Sequence, residues 1–75
     1  MNIIVYSKDK CQQCDIAKML LDMKGQEYTV KKLDEDFTQE ELKTLFPTAR
    51  SFPIIVINGN YIGGYSELKQ KLSST

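Results

Sequence analysis

The stretch that decides the fold is residues 2–23, NIIVYSKDKCQQCDIAKMLLDM, which joins a strand pattern to a helix pattern. Residues 2–6 are mostly β-branched or aromatic and carry no charge, as in a short buried strand. From Ile16 to Met23, apolar residues recur near helical spacing. The only two cysteines therefore lie at a strand-to-helix junction, with Cys11 in the first helical turn and Cys14 on the same face one turn deeper.

The position of the cysteine pair predicts thiol chemistry. The attacking species in thiol exchange is the thiolate, and a helix N-terminus offers unpaired N–H donors and a partial positive charge. Together with Lys8 and Lys10, this environment should lower the pKa of Cys11. Cys14 should be the more buried and less ionised thiol. An exposed nucleophile with a resolving thiol one turn away is what dithiol–disulfide exchange requires.

Other interpretations of the pair are weaker. A stabilising disulfide would close a very small loop, and such loops constrain the unfolded chain least. Zinc usually takes four ligands, and the sequence has no histidine and no second cysteine pair. We therefore favour redox exchange, while a metal site shared between two chains and a chemically idle pair remain as alternatives.

Length and composition narrow the classes of function. The 75 residues predict a single domain, residues 1–75, with a small core. Ten basic and ten acidic residues cancel, which argues against nucleic acid or an anionic membrane as the main partner. The lack of histidine excludes Cys–His proteases. Small secreted domains are often stabilised by several disulfides, which two cysteines at this spacing cannot provide. No secretion signal or membrane-spanning run is evident either. We therefore expect a cytoplasmic setting.

The middle of the chain predicts a strand and a second helix. Gly25 is a helix stop, and residues 27–33 alternate apolar and polar side chains, as a strand nearer the sheet edge does. Strand, helix and strand together imply a right-handed parallel βαβ unit. The acidic residues 34–36 are interpreted as a solvated loop. Thr38 and Glu41 form a capping-box pattern that opens a helix over residues 38–46, before a proline.

The last third of the chain predicts a hairpin and a final helix. Residues 54–57, IIVI, are the most apolar run and must be a central strand. Asn58-Gly59-Asn60 is a tight turn into a short strand at residues 61–62, and residues 66–72 form a short helix. The pattern β-α-β-α-β-β-α predicts an α/β layer fold, with a mixed four-stranded sheet flanked by helices. The cysteine pair then lies outside the carboxyl end of the first strand, where open α/β sheets place their chemistry.

Two segments can be interpreted in more than one way. Pro53 cannot donate a ladder hydrogen bond and so belongs at the start of the central strand. Periodicity alone favours a trans bond there, whereas a cis bond would turn the Phe52 backbone outward, toward an extended ligand. Gly63-Gly64 before a helix is either a simple turn or a close backbone approach that leaves helix N-terminal amides to bind a carboxylate.

Taken together, these segments resemble the glutaredoxin family. Residues 6–14, YSKDKCQQC, resemble its active-site segment, and Ser51-Phe52-Pro53 resembles its Thr-Val-Pro element. Residues 62–68, IGGYSEL, resemble its glycine-pair glutathione motif. The three lie in the family's order and at its spacings over essentially the whole chain. The resemblance implies a thioredoxin-like fold of the compact microbial or phage type, with a cis Pro53.

The resemblance also implies an activity. It is that of a glutathione-dependent thiol–disulfide oxidoreductase, with no bound cofactor and with glutathione as the reducing cosubstrate. Cys11 would attack the disulfide of a protein or a glutathionylated thiol, and Cys14 would resolve the mixed disulfide. The implied partners are glutathione and disulfide-containing or glutathionylated proteins, with ribonucleotide reductase as a candidate. The protein would act as a monomer.

Glutathione would bind in an extended pose, according to the same resemblance. Its cysteine would sit at Cys11, and its backbone would pair with Phe52. Its γ-glutamyl carboxylate would meet the amides of Tyr65 and Ser66, with Glu67 near the ammonium group. Its glycine carboxylate would face Lys8, with Arg50 or Gln39 as further candidates. The implied glutathione-binding residues are Lys8, Gln13, Arg50, Ser51, Phe52, Pro53, Gly63, Gly64, Tyr65, Ser66 and Glu67.

The sequence departs from the family pattern between the cysteines, where Gln12-Gln13 replaces the usual Pro-Tyr or Pro-Phe. A Gln before the second cysteine is also found in small redoxins that reduce ribonucleotide reductase and are fed by thioredoxin reductase. Those redoxins generally lack the Gly-Gly-aromatic-Ser pattern present here. Glu67 replaces the commoner Asp, and Phe52 replaces Val. A further alternative is a dimer that shares an iron–sulfur cluster through Cys11 and glutathione.

Overall fold

The element order is the one that the sequence predicts. The computed structural model describes residues 2–49 and 51–73. The second strand is shorter than the predicted residues 27–33, because only four of its residues pair with the first strand. The elements are β1 (Ile3–Ser7), α1 (Gln12–Met23), β2 (Thr29–Lys32), α2 (Gln39–Leu45), β3 (Ile54–Ile57), β4 (Asn60–Gly63) and α3 (Tyr65–Ser73).

The sheet has the strand order β2-β1-β3-β4. β1 pairs in parallel with β2 and antiparallel with β3, and β3 pairs antiparallel with β4. The mixed four-stranded sheet, the edge position of β2 and the central position of β3 are thus confirmed. All four residues of β3 are buried, because β3 has a strand on each side and side chains packed on both faces.

Side chains alternate between the two faces of the sheet and build two apolar clusters. The larger cluster joins β1 and β3 to α1 and α3, and it includes Leu21 and Leu68, which are fully buried. The smaller cluster joins Tyr6 to Phe37 and Leu42, on the α2 side of the sheet. Tyr6 is therefore a core residue, as the strand pattern suggests. In the part of the chain that the structure describes, no helix combines the length and the apolar character needed to cross a membrane.

The helix ends follow local sequence signals. α1 stops at Lys24, its C-cap, and Gly25 follows with φ +67°, as expected of a helix stop. Thr38 Oγ1 accepts a hydrogen bond of 3.2 Å from the Glu41 N–H, and Glu41 Oε1 accepts one of 3.0 Å from the Thr38 N–H. This reciprocal pair confirms the capping box at the start of α2.

α1 packs through a narrower stripe than its sequence indicates. Ala17 and Leu21 are fully buried, but Met23 is 81% exposed and Ile16 36% exposed. The two exposed residues were counted in the apolar repeat, and this assignment is wrong. The helix packs on the sheet from one side only, so residues at the margin of the stripe stay in solvent.

Candidate active site

The cysteines occupy the start of α1, directly after the loop that follows β1. Cys11 is the N-cap of α1, with φ −109° and ψ 99°, and lies outside the helix proper. Its Sγ accepts a hydrogen bond of 3.1 Å from the Cys14 N–H. The prediction that Cys11 lies within the first turn is therefore wrong by one residue, because the sulfur serves as the helix cap. Its position at the N-terminal end of the helix is nevertheless the expected one.

Cys11 and Cys14 are joined by a disulfide, with their Cα atoms 5.2 Å apart. Cys11 is 9% exposed and Cys14 only 1% exposed. The expected order of accessibility is confirmed, but Cys11 in this oxidised state is nearly buried rather than exposed. An attacking thiolate can therefore approach the Cys11 sulfur more readily than the Cys14 sulfur.

An ion pair connects the loop between β1 and Cys11 to the end of β2. Lys32 Nζ lies 2.6 Å from Asp9 Oδ1 and 3.1 Å from Glu35 Oε2. These two partners, Asp9 first, raise the pKa of Lys32 above its ordinary value. The Lys32 N–H also donates to Asp36 Oδ2 at 2.9 Å. The acidic residues 34–36 are exposed, as expected of a solvated loop, but two of their carboxylates bind Lys32.

The segment before β3 brings Phe52 and Pro53 to the site. The Phe52–Pro53 bond is cis, so the trans bond expected from periodicity is wrong and the one implied by the resemblance is confirmed. The Phe52 ring stacks on Phe37, with ring centroids 6.3 Å apart. Lys8 Nζ lies 5.5 Å from the centroid of the Phe52 ring. Lys8 thus lies beside Phe52, where its ammonium group can interact with the ring face.

An open cleft of about 590 Å³ reaches Gln13, the residue before Cys14, although neither cysteine is among the residues that line it. It is bordered by the first turn of α1, the segment before β3, and the β4–α3 junction. Of the implied glutathione-binding residues, Lys8 does not line this cleft, and Arg50 lies outside the described residues. The other nine all line it: Gln13, Ser51, Phe52, Pro53, Gly63, Gly64, Tyr65, Ser66 and Glu67.

Three further residues line the cleft but are not among the implied glutathione-binding residues, although Ile62 begins the glycine-pair motif: Thr48, Tyr61 and Ile62. Tyr61 is 39% exposed and packs on Phe46, with ring centroids 5.5 Å apart. The signal that could have found Tyr61 and Ile62 is the hairpin itself. It carries β4 to the sheet edge directly before the glycine pair, so the residues preceding Gly63 must border the same opening.

The glycine pair makes close contacts, and at Gly63 the backbone conformation itself favours glycine. A Cβ at Gly63, whose φ is +125°, would lie 2.6 Å from the Cγ and Oε1 atoms of Glu67. A Cβ at Gly64 would lie 3.3 Å from the backbone carbonyl of Pro53. A close backbone approach is thus confirmed at Gly63-Gly64, and the left-handed φ belongs to Gly63.

The N-terminus of α3 faces the cleft. The helix begins at Tyr65, so the N–H groups of its first turn lack acceptors within the helix. Glu67 Oε1 accepts a hydrogen bond of 2.7 Å from the Gly64 N–H. The Glu67 carboxylate therefore caps its own helix. Within residues 2–49 and 51–73, no three histidine, cysteine or acidic side chains are grouped so that they could hold a metal ion.

The family model described as glutaredoxin matches residues 3–62, from β1 through the cysteine pair to the β3–β4 hairpin. The chain belongs to the glutaredoxin family. A glutaredoxin of Ricinus communis is 34% identical over 74 residues, a match that covers 95% of this chain and 72% of the relative. Thiol oxidoreductase chemistry is the family's activity, and the cysteine pair at the start of α1 is consistent with it.

Solved glutaredoxins share the fold. The buckwheat glutaredoxin–glutathione complex superposes with a TM-score of 0.80 at 29% identity, covering 96% of this chain and 68% of that one. Glutaredoxin 1 from Francisella tularensis, complexed with cacodylate, gives a TM-score of 0.80 at 19% identity, covering 97% and 93% of the two chains. The predicted thioredoxin-like glutaredoxin fold is therefore confirmed.

Proposed function

We propose that this glutaredoxin is a glutathione-dependent thiol–disulfide oxidoreductase that uses both Cys11 and Cys14. The observation that carries the proposal is the position of the cysteine pair beside the cleft. Gln13, between the two cysteines, lines that cleft together with Pro53 and Gly64. A ligand in the cleft would therefore lie close to the cysteine pair, as thiol exchange requires.

The two cysteines are suited to a dithiol cycle. Their Cα separation of 5.2 Å lies in the usual range for disulfides, as an intramolecular disulfide requires. The Cys14 N–H donates to the Cys11 sulfur, so a hydrogen-bond donor lies beside the sulfur that takes part in exchange. The greater exposure of Cys11 makes it the sulfur that meets the substrate, and Cys14 the resolving thiol.

The reductive half of the cycle begins when the Cys11 thiolate attacks one sulfur of a substrate disulfide. A mixed disulfide forms, and the other substrate sulfur leaves as a thiolate that takes a proton from solvent. The Cys14 thiolate then attacks the Cys11 sulfur and displaces the second substrate thiolate. The product is the Cys11–Cys14 disulfide, the state in this structure. The substrate gains two electrons, and the cysteine pair loses them.

Two molecules of glutathione restore the dithiol. The thiolate of the first attacks the Cys11 sulfur, forms a mixed disulfide and releases Cys14 as a thiolate. The thiolate of the second attacks the glutathione sulfur of that mixed disulfide, which releases glutathione disulfide and the Cys11 thiolate. Removal of glutathione from a glutathionylated protein follows the same chemistry with Cys11 alone, because Cys11 takes the glutathione and a second glutathione removes it.

Glutathione is proposed to lie along the cleft. Its γ-glutamyl carboxylate would accept hydrogen bonds from the Tyr65 and Ser66 N–H groups at the start of α3, and its backbone would pair with Phe52. Its glycine carboxylate would face Lys8, with Arg50 and Gln39 as further candidates. The glutathione complex of the buckwheat relative supports this use of the cleft.

The proposed partners are glutathione and proteins that carry a disulfide or a glutathionylated thiol, including a ribonucleotide reductase. We further propose that the protein acts in the cytoplasm as a monomer and that residues 1–75 form one domain. Iron–sulfur chemistry in a dimer would instead appear as a coloured, dimeric preparation.

A second candidate function is the same exchange driven by thioredoxin reductase. Gln13 favours it, because this residue lines the cleft where the family usually has an aromatic ring. The test supplies the protein and an excess of a small test disulfide either with glutathione, glutathione reductase and NADPH, or with thioredoxin reductase and NADPH, and follows NADPH consumption. We expect fast turnover with glutathione and little with thioredoxin reductase. The reverse result would replace the proposed function by the alternative.

A further inference from the structure

Five aromatic side chains form a continuous row that passes through the smaller apolar cluster. Neighbouring ring centroids along the row lie between 5.1 and 6.3 Å apart. Aromatic pairs attract one another at such spacings. The members of the row, in spatial order, are Phe52, Phe37, Tyr6, Phe46 and Tyr61. The two end members, Phe52 and Tyr61, both line the cleft, and the three rings between them do not.

Each end of α2 supplies one ring to the row. Phe37 directly precedes Thr38, the N-cap of α2, and Phe46 is the C-cap. Tyr6 lies between the two phenylalanines, with its ring centroid 5.1 Å from that of Phe37 and 5.2 Å from that of Phe46. Because Tyr6 is buried within β1, it gives both phenylalanines a partner that belongs to the sheet. The two ends of α2 are therefore packed against the sheet through the same tyrosine.

Each of the two phenylalanines also contacts one border of the cleft. Phe37 is only 6% exposed, and its ring stacks on Phe52 with an angle of 27° between the ring planes. The ring of Phe46 lies at 44° to that of Tyr61. Phe52 belongs to the segment before β3 and Tyr61 belongs to β4, so the two contacts reach different borders of the opening. Since neither Phe37 nor Phe46 lines the cleft, each can act on a ligand only through its neighbour.

We propose that Phe37 and Phe46 are positioning residues, which fix Phe52 and Tyr61 at the borders of the cleft. The inference rests on the proposed function, in which the backbone of Phe52 pairs with glutathione. Phe52 lies outside the strands, so its position is not set by the hydrogen bonds of the sheet. The stacked ring of Phe37 supplies a restraint in their place. Without that ring the border of the cleft can shift, and a small displacement of a binding group lowers the rate of a reaction strongly.

The test measures the KM for glutathione and the stability of the fold in the same variants. Phe37→Leu and Phe46→Leu each keep an apolar side chain but remove the ring. Ile4→Ala is the matched control, because Ile4 lies on the same face of β1 as Tyr6 and packs against the same cluster, but has no ring and does not line the cleft. Turnover of a small test disulfide with glutathione, glutathione reductase and NADPH gives the KM. Urea denaturation gives the stability.

We expect Phe37→Leu and Phe46→Leu to raise the KM for glutathione about threefold to tenfold, within the range of couplings between residues in contact. Direct reduction of the test disulfide by the pre-reduced variants should match wild type, because it needs only Cys11. Ile4→Ala should lower the stability and leave the KM unchanged. An unchanged KM in either ring variant, or an equal rise in Ile4→Ala, would overturn the inference. Phe46 is only half-buried, so Phe46→Leu still tests the inference if Phe37→Leu does not fold.

A double-variant cycle tests whether Phe37 acts through Phe52. Phe52→Val removes the ring that Phe37 contacts. Adding Phe37→Leu to Phe52→Val should therefore raise the KM for glutathione no further. A further rise as large as in the wild-type background would mean that Phe37 does not act through Phe52, and would overturn the inference. If the wild-type protein itself shows little turnover with glutathione, the proposed function fails, and this result is distinct from an unchanged KM in the variants of an active protein.

Discussion

The Sγ of Cys11 accepts a hydrogen bond of 3.1 Å from the backbone N–H of Cys14, so one sulfur serves both as the N-cap of α1 and as half of the redox disulfide. A capping atom is held against the positive end of its helix. Negative charge that develops on Cys11 during exchange is therefore stabilised where it forms. Cys14 lies within the helix, and its sulfur has no such position.

This asymmetry predicts different outcomes for the two cysteine variants. Cys11→Ser should abolish all disulfide reduction, because no accessible thiolate remains. Cys14→Ser should accumulate mixed disulfides with protein substrates and retain removal of glutathione, which needs Cys11 alone. Mass spectrometry after brief alkylation of the reduced wild-type protein at neutral pH checks the assignment, and Cys11 should be modified first. Faster modification of Cys14 would reverse the two roles.

The capping box of α2 predicts a measurable loss of stability. Thr38→Ala removes the acceptor of the Glu41 N–H and should lower the free energy of unfolding by about 1 kcal/mol. Urea denaturation should show a lower midpoint with an unchanged slope. Thr44→Ala is the control, since Thr44 lies in the same helix and its hydroxyl only donates to the Glu40 carbonyl. A loss in Thr44→Ala as large as in Thr38→Ala would contradict the capping role.

The ion pairs of Lys32 predict that the stability of the fold depends on pH in the alkaline range. Its pKa is raised above 10.5 by Asp9 first and then by Glu35, so the folded protein holds the proton more tightly than the unfolded chain. This stabilisation is fully present below pH 10.5 and is lost as the pH rises through the raised folded value. Lys32→Met should therefore unfold at lower denaturant than wild type at pH 7, and the gap should narrow at pH 11. The gap should also shrink in 1 M salt, because all three side chains are at least 40% exposed.

The matched control for Lys32 is Lys43→Met, on the exposed surface of α2, where the described residues offer Lys43 no ion pair. Its stability relative to wild type should not vary with pH in the same range. A gap for Lys32→Met that stays constant between pH 7 and pH 11 would mean that the ion pairs with Asp9 and Glu35 do not form in solution.

Local signals predicted most of the fold. Thr38 and Glu41 predict the start of α2, because the two residues that form the capping box lie within four residues of the sequence. The segment Ile54–Ile57 predicts a central strand, because four consecutive apolar residues must be buried on both faces of the sheet. The errors arise where tertiary contacts decide. Met23 fits the helical repeat but is exposed at the last position of α1, and β2 is limited to four residues by its pairing with β1.

The candidate site was predicted less completely, because a cleft is formed by elements that are distant in the chain. Gln13 and Gly64 could be assigned from motifs that each lie in one segment. Thr48 and Tyr61 belong to no motif, and Tyr61 lines the cleft while its ring packs on Phe46, the C-cap residue of α2. The internal hydrogen bond of Glu67 to Gly64 likewise depends on a side-chain conformation that the sequence does not specify.

Gly64→Val predicts a selective loss of glutathione use and so separates the two candidate reductants. A Cβ at Gly64 would lie 3.3 Å from the Pro53 carbonyl, so a branched side chain must push α3 away from the segment before β3 and misplace the Tyr65 and Ser66 amides. The KM for glutathione should rise at least several-fold. Direct reduction of a small test disulfide by the pre-reduced protein should be unchanged, since it needs only Cys11.

Gly25→Asn is the control for folding, because a Cβ there meets no atom within 4 Å and asparagine tolerates its φ of +67°. If wild type and Gly64→Val show the same dependence on glutathione concentration, the β4–α3 junction does not hold glutathione, and reduction by thioredoxin reductase becomes the better-supported function.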